Sequence, residues 1–316
     1  MDDVGEMTEY LGCILKFNRE NKKTEYPSVT LLQPTLIQRF EDEFSPLQTQ
    51  MTTPVAQRTR LRRAKEGEAV SAECQKSYRT IVGILIHITR WSRPDIMNAV
   101  REATKHMQGS TPAHKRYINV LIGFLTRTKN RGWKLMPTRK WDKRDKTFKF
   151  KIKGKSDSDY ATCPDTRRSV TGYMIWFEGT MIAVRSVMQK IVALSSAEAE
   201  LIALVLCLQE MMHLKKLVEG LELQVELPMT VECDNKATVD LVNGHSSSGG
   251  TKHIDVRFMF ARELKEAGVI KVQWIPTEEN EADLLTKNTD HKIFNRHSSK
   301  FMKEVPPEQG GVLEHE

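Results

Sequence analysis

Four carboxylates in the second half of the chain stand where they could do chemistry. They are Asp157 in Ser-Asp-Ser-Asp-Tyr, Glu200 in Ser-Ser-Ala-Glu-Ala-Glu-Leu, Asp234 in Val-Glu-Cys-Asp-Asn and Asp283 in Asn-Glu-Ala-Asp-Leu-Leu. Each falls at the end of a predicted strand or the start of a predicted helix. Converging carboxylates repel one another, so a fold holds them together only with a cation between them, and hard divalent ions with oxygen ligands are the usual solution. The chemistry suited to such a group is metal-assisted phosphoryl transfer.

The elements that would position them can be read from periodicity. A strand over 150–156 is followed by two β-rich stretches, 169–177 and 180–187, joined by the hairpin-type turn Glu178-Gly179. A helix from Ser196 follows, then a strand over 229–234, a short helix from Asn235, a longer one over 253–267, a strand over 271–275 and a last helix from Asn280. This order, βββαβααβα, places all four carboxylates near one end of a mixed sheet. Upstream, residues 10–17 and 28–32 read as paired strands, and a helix over 33–44 carries Leu36, Ile37 and Phe40 on one face. Residues 45–72 look irregular. Three helices follow from Gln75, broken at Ser92-Arg93-Pro94 and at Gly109-Ser110-Thr111-Pro112. Residues 134–150 read as a polar tether into the second half.

Each acidic residue also has a structural role to weigh. Ser195 and Glu198 fit a capping box, which leaves Glu200, about 200° further round the helix, free of that job in very apolar surroundings. Asp159 shares a strand face with Asp157 and is the alternative ligand there. Asp234 could cap the following helix, although Asn235 could do so instead. Asp283 could serve only the helix dipole.

Composition bounds the class. At 316 residues with 39% hydrophobic content, two domains are expected. Five cysteines without a CxxC pair point to neither a disulfide framework nor a zinc site. No apolar run approaches the roughly 20 residues needed to cross a bilayer, and the acidic start is unlike a secretory signal. An intracellular, non-secreted protein is expected. The net charge is +7, and the excess lies in residues 51–150, where 23 Lys and Arg meet 7 Asp and Glu. Such density is the footprint of a phosphate-backbone binder.

Six segments in this order carry a family resemblance: Ser156-Asp-Ser-Asp-Tyr-Ala, Arg168-Ser-Val-Thr-Gly-Tyr, Gln189-Lys-Ile-Val-Ala-Leu-Ser-Ser-Ala-Glu-Ala-Glu, Cys233-Asp-Asn-Lys-Ala, Lys252-His-Ile-Asp-Val-Arg and Asn280-Glu-Ala-Asp-Leu-Leu-Thr-Lys. They resemble the ribonuclease H domain of copia-type LTR retrotransposons. Val4-Gly-Glu-Met-Thr-Glu-Tyr-Leu-Gly, Tyr78-Arg-Thr-Ile-Val-Gly and Trp91-Ser-Arg-Pro-Asp-Ile-Met-Asn-Ala-Val resemble the C-terminal part of the same elements' reverse transcriptase. The resemblance implies an α/β chain. A ribonuclease H-like domain over 151–300, a mixed five-stranded sheet with flanking helices, would follow a mainly helical thumb- or connection-like region with a β-hairpin over 1–133. A linker over 134–150 would join them, and 301–316 would form a flexible tail.

The same resemblance implies a two-metal ribonuclease acting on the RNA strand of RNA–DNA hybrids. Asp157, Glu200, Asp234 and Asp283 would be catalytic and would hold two Mg2+ ions, replaceable by Mn2+, with Asp157 bridging. The Tyr-x-Asp-Asp turn of the polymerase is missing, and Asp2-Asp3 cannot replace it, so a fragment without polymerase activity is expected. A polymerase or integrase portion of the element would be a separately encoded partner. Localisation would be cytoplasmic, in a virus-like particle, with nuclear entry. His253 is read as a packing or hydrogen-bonding imidazole ahead of a catalytic one, since its helix also displays Phe258, Phe260 and Leu264. The loop 275–280 lacks the histidine of cellular ribonucleases H, so Glu278 or Glu279 would shuttle the proton or the step would go unassisted. Two further departures from the family are the missing tryptophan in Ala183-Val-Arg-Ser and Met259 in place of a histidine. The rival readings are a non-catalytic or domesticated nucleic-acid-binding remnant and a transposase of three-carboxylate type. The meander and the Ala-Glu-Ala-Glu-Leu helix speak against the second.

Overall fold

Alternation in Ser28-Val-Thr-Leu-Leu buries Ser28, Thr30 and Leu32 and makes the segment a sheet strand. The computed structural model describes residues 7–18, 27–44, 51–244 and 252–306, the side chains of 252–255 excepted. Strands β1 (Glu9–Tyr10), β2 (Cys13–Asn18) and β3 (Ser28–Leu32) form an antiparallel set, and helix α1 (Pro34–Phe44) buries Ile37 and Phe40. Residues 51–71 contain no helix or strand. Helices α2 (Ala72–Trp91), α3 (Met97–Thr104) and α4 (Pro112–Arg127) follow, α2 capped by Ser71 and α4 by Thr111, with Pro112 in its first turn. The expected breaks are where the chain turns.

The first sheet is completed by β4 (Arg131–Leu135), which lies on β3. The chain then runs through β5 (Lys149–Phe150) into the second sheet, made of β6 (Ile152–Asp159), β7 (Val170–Phe177) and β8 (Thr180–Met188). Glu178 and Gly179 between β7 and β8 both have positive φ, 50° and 77°, as a tight hairpin turn requires. Helix α5 (Ser196–Gly220), β9 (Gln224–Val225), β10 (Met229–Cys233), α6 (Lys236–Asn243), α7 (Lys252–Glu266) and β11 (Ile270–Trp274) come next. The sheet order is β11-β10-β6-β7-β8, with β11, β10 and β6 parallel and β6, β7 and β8 antiparallel. This mixed five-stranded sheet is the ribonuclease H-like fold expected from the motif order.

Three expectations are corrected. The last helix from Asn280 is a 3-10 turn, Glu281–Leu285, and a separate helix α8 (His291–Ser298) starts at the cap Asp290. The intervening Thr286, Asn288, Thr289 and Asp290 favour caps and turns over helix interiors. The flexible tail from 301 is not free at its start: Phe301 and Met302 are buried, and β12 (Met302–Glu304) pairs with β4, while 307–316 lie outside the described residues. The tether over 134–150 is also pinned, since the Thr138 amide donates to Glu178 O at 2.7 Å, Arg139 pairs with the Glu178 carboxylate and Trp141 packs edge-on against Phe150.

The two halves share one apolar core. Ile37, Tyr78, Leu85, Leu121 and Phe124 pack together with Met174, Met181, Leu284, Leu285, Phe294 and Phe301. A second core lies between α5 and the sheet, around Leu204, Leu208, Met211 and Val231. No helix among the described residues is long and apolar enough to cross a membrane.

Candidate active site

The fold brings the four carboxylates to one end of the second sheet. Asp157 is near the end of β6, Asp234 follows β10 directly, Glu200 projects from the start of α5 and Asp283 lies in the 3-10 turn 281–285. Carboxylate oxygens of Asp157, Asp234 and Asp283 lie within 4.8 Å of one another, and so do ligand atoms of Glu200, Cys233 and Asp234. Asp234 is therefore the member common to both groups. Pairing of Asp157 with Gly172 on β7 explains how the turn gets close: a Cβ on Gly172 would lie 2.7 Å from Leu285 Cβ and 2.8 Å from Thr286 Cγ2.

Burial governs the electrostatics. Asp157 is 2% exposed, and its carboxyl is pushed well above the ordinary range, first by burial and then by Asp283, with Glu200 and Asp234 adding to it against the pull of Lys287. Burial and then Asp234 push Glu200 up to about 8. Asp283 is raised by burial in spite of the Lys287 ammonium 2.9 Å from its Oδ1. Burial pulls Lys287 down, but Asp157 and Asp283 more than offset this and hold it above its ordinary value. The Cys233 thiol is driven well up by burial and Glu200, so it stays protonated and is a poor ligand. Among the described residues, one ammonium, that of Lys287, thus faces the converging carboxylates, whose oxygens are hard donors. The donor set fits Mg2+ or Mn2+.

Side chains that sequence reasoning did not single out hold these groups in place. Asn280, fully buried, donates to Ser156 O at 2.9 Å and to Asp234 Oδ1 at 3.4 Å, while its own Oδ1 accepts the Ala282 amide at 3.2 Å. One amide side chain so joins β6, Asp234 and the turn that carries Asp283. The Thr286 hydroxyl donates to Asp157, and the Ser158 amide to Glu200 Oε1 at 3.1 Å. Beneath the site, Lys155 on β6 reaches Glu232 on β10 at 3.2 Å, Glu281 at 2.5 Å and Glu279 O at 2.7 Å. Lys155 and Glu232 each stand two residues before a carboxylate, hence on the same side of the sheet. The only sequence signal for Asn280, Thr286 and Lys287 was their place in the last motif, and for Lys155 and Glu232 this spacing.

The structural roles weighed from sequence separate as follows. Ser195 accepts the Glu198 amide, and Glu198 accepts the Leu194 amide, so both belong to the cap of α5. Asn235 caps α6 through the Thr238 amide, which leaves the Asp234 carboxylate out of that cap. Asp159 is ion-paired with Arg60 from the first half of the chain. Glu278 and Glu279 are exposed in a 3-10 turn, Thr277–Glu279, and Met259 is exposed on α7. The side chain of His253 lies outside the described residues.

No family model matches the chain. Retrovirus-related Pol polyprotein from transposon TNT 1-94 of Nicotiana tabacum is 30% identical over 298 residues, 93% of this chain and 21% of its own length. The corresponding polyprotein from transposon RE2 of Arabidopsis thaliana is 30% identical over 237 residues, 75% of this chain and 16% of its own length. The chain therefore spans about a fifth of the length of these curated relatives. Among solved structures, the N-terminal ribonuclease H domain of a Mycobacterium tuberculosis protein covers 47% of this chain and 96% of its own, with 16% identity and a TM-score of 0.34.

Proposed function

Since the chain belongs to the retrovirus-related Pol polyproteins of copia-type transposons, we propose that its four carboxylates serve metal-dependent hydrolysis of the RNA strand of RNA–DNA hybrids. The observation that carries this reading is the cluster itself: Asp157, Glu200, Asp234 and Asp283 meet at one end of the sheet, burial raises the proton affinities of Asp157, Glu200 and Asp283, and among the described residues the Lys287 ammonium is the one that offsets them. Purely structural carboxylates are ordinarily neutralised by partners in place, as Glu102 is by Arg101 and Lys105.

Mg2+ or Mn2+ held by Asp157, Glu200, Asp234 and Asp283 would supply a water of lowered pKa and would offset negative charge at a phosphate. The rest is done by the chain. Asn280 and Thr286 hold Asp234 and Asp157 in position before substrate arrives, so little reorganisation is needed. Lys155, by tying Glu281 to β6, keeps Asp283 against Asp157. Choice of the RNA strand would rest on contacts to 2′-hydroxyls across the wide minor groove, for which backbone amides near Asn235 and polar groups of the β6–β8 meander are the donors.

Asp234→Asn tests the reading, because Asp234 belongs to both groups of ligand atoms while Asn235, and not Asp234, caps α6. Cleavage of a labelled hybrid in Mg2+ should fall by at least about a hundredfold, the equivalent of losing about 3 kcal/mol of transition-state stabilisation. An unchanged rate would sink the assignment.

A further inference from the structure

The irregular stretch 53–65 comes from the first half of the chain, yet it is seated beside the carboxylates of the second. Its backbone groups, which no helix or sheet satisfies, are bonded to the surroundings of the site. The Arg58 amide donates to Asn288 O at 3.1 Å, and Asn288 Nδ2 donates to Thr59 O at 3.1 Å. Asn288 directly follows Lys287, whose ammonium lies 2.9 Å from Asp283. Arg60 pairs with Asp159, two residues beyond Asp157, and the Arg63 amide donates to both oxygens of Asp165 at 3.1 and 3.0 Å. Leu61 N donates to Glu102 at 2.8 Å, and Thr53, Val55 and Leu61 are buried. The stretch is thus a fixed strap and not a loose linker.

Its charged side chains divide into two kinds. Arg60 and Arg62 are paired, with Asp159 and Glu68. Arg58 and Arg63 are exposed, and their guanidinium groups have no partner among the described residues. Arg58 also has φ 57°, a left-handed conformation uncommon in residues other than glycine, and its amide is held there by Asn288.

We infer that this strap forms one wall of the substrate channel, with Arg58 and Arg63 binding phosphates of the RNA–DNA hybrid next to the scissile position. The inference rests on the nuclease reading for its ligand. Guanidinium forks suit phosphate oxygens, and unpaired arginines beside a strongly acidic site draw a polyanion to a place that would otherwise repel it.

The test is the Arg58→Gln/Arg63→Gln double variant of the full chain, with binding of a labelled hybrid followed by anisotropy in Ca2+ over a range of salt. Each phosphate contact contributes about 0.9 to the slope of log affinity against log salt, so the variant's slope should be shallower by about 1.8. Between 50 and 200 mM salt the wild type should then lose about twelvefold more affinity than the variant. The melting temperature and its response to Mg2+ should stay as in the wild type, since neither side chain holds the fold together. A slope and affinity equal to wild type would overturn the inference. If the wild type cuts hybrid but its slope ignores both arginines, the strap is wrong and the nuclease stands. If it does not cut, yet the slope still drops on substitution, the strap stands and the nuclease reading fails.

Discussion

Replacing Glu200 by Gln should stabilise the metal-free protein by an amount that pH sets. The carboxyl is 6% exposed, and burial, then Asp234, lift it from 4.5 to about 8. An unfolded chain releases this proton near 4.5 and the folded protein only near 8, so between those values the folded state binds more protons and its stability falls as pH rises. The window of about 3.5 pH units, at about 1.36 kcal/mol each, makes a penalty of about 5 kcal/mol at pH 8 that is absent below 4.5. That is a large share of the roughly 5–15 kcal/mol by which folded proteins are stable. Gln keeps the shape and can still accept the Ser158 amide, so the variant loses the charge and little else. Urea unfolding in chelator should show wild type and variant nearly equal at about pH 5 and the variant more stable by about 5 kcal/mol at about pH 8. Adding Mg2+ should restore much of the wild-type deficit, because an ion that binds only the folded state stabilises it by RT ln(1 + [L]/Kd), and should help the variant less. A variant no more stable than wild type at the higher pH would show that the buried charge costs nothing, and the case for an ion between these carboxylates would fall.

Two more outcomes follow from packing. Gly172→Ala puts a Cβ 2.7 Å from Leu285 Cβ and 3.0 Å from Ala282 O, so the turn bearing Asp283 must move away from Asp157; a loss of about 1–3 kcal/mol and a weaker Mg2+ shift in melting temperature are expected, and an unshifted Mg2+ response would contradict it. Excising residues 148–306 should bare Met174, Met181, Leu284, Leu285 and Phe294, which share a core with α2 and α4, at about 1.5–3 kcal/mol for each side chain exposed; a monodisperse fragment melting with the full chain would refute that dependence.

Sequence alone determined the pieces whose causes are local. Hairpin and helix periods, the Ser195 and Asn235 caps, the breaks before Pro94 and Pro112 and the order of the longer strands and helices as far as β11 are set by residues a few positions apart, and the structure keeps them. The four acidic positions were legible too, through their motifs and through the apolar surroundings of Glu200. Tertiary structure decided the rest, because it depends on residues far apart in the chain. Only packing shows that Thr286 meets Asp157, that Asn280 spans three elements, that Arg60 occupies Asp159 and that Lys287 faces the cluster. It also turned the expected tether and tail into parts of the fold, since Thr138 closes on the 178–179 turn and β12 finds its partner in β4, about 170 residues upstream. The shifted proton affinities have the same origin: a carboxylate in an apolar helix is visible in sequence, but its cost is set by which other charges the fold brings to its side and by how much water it removes.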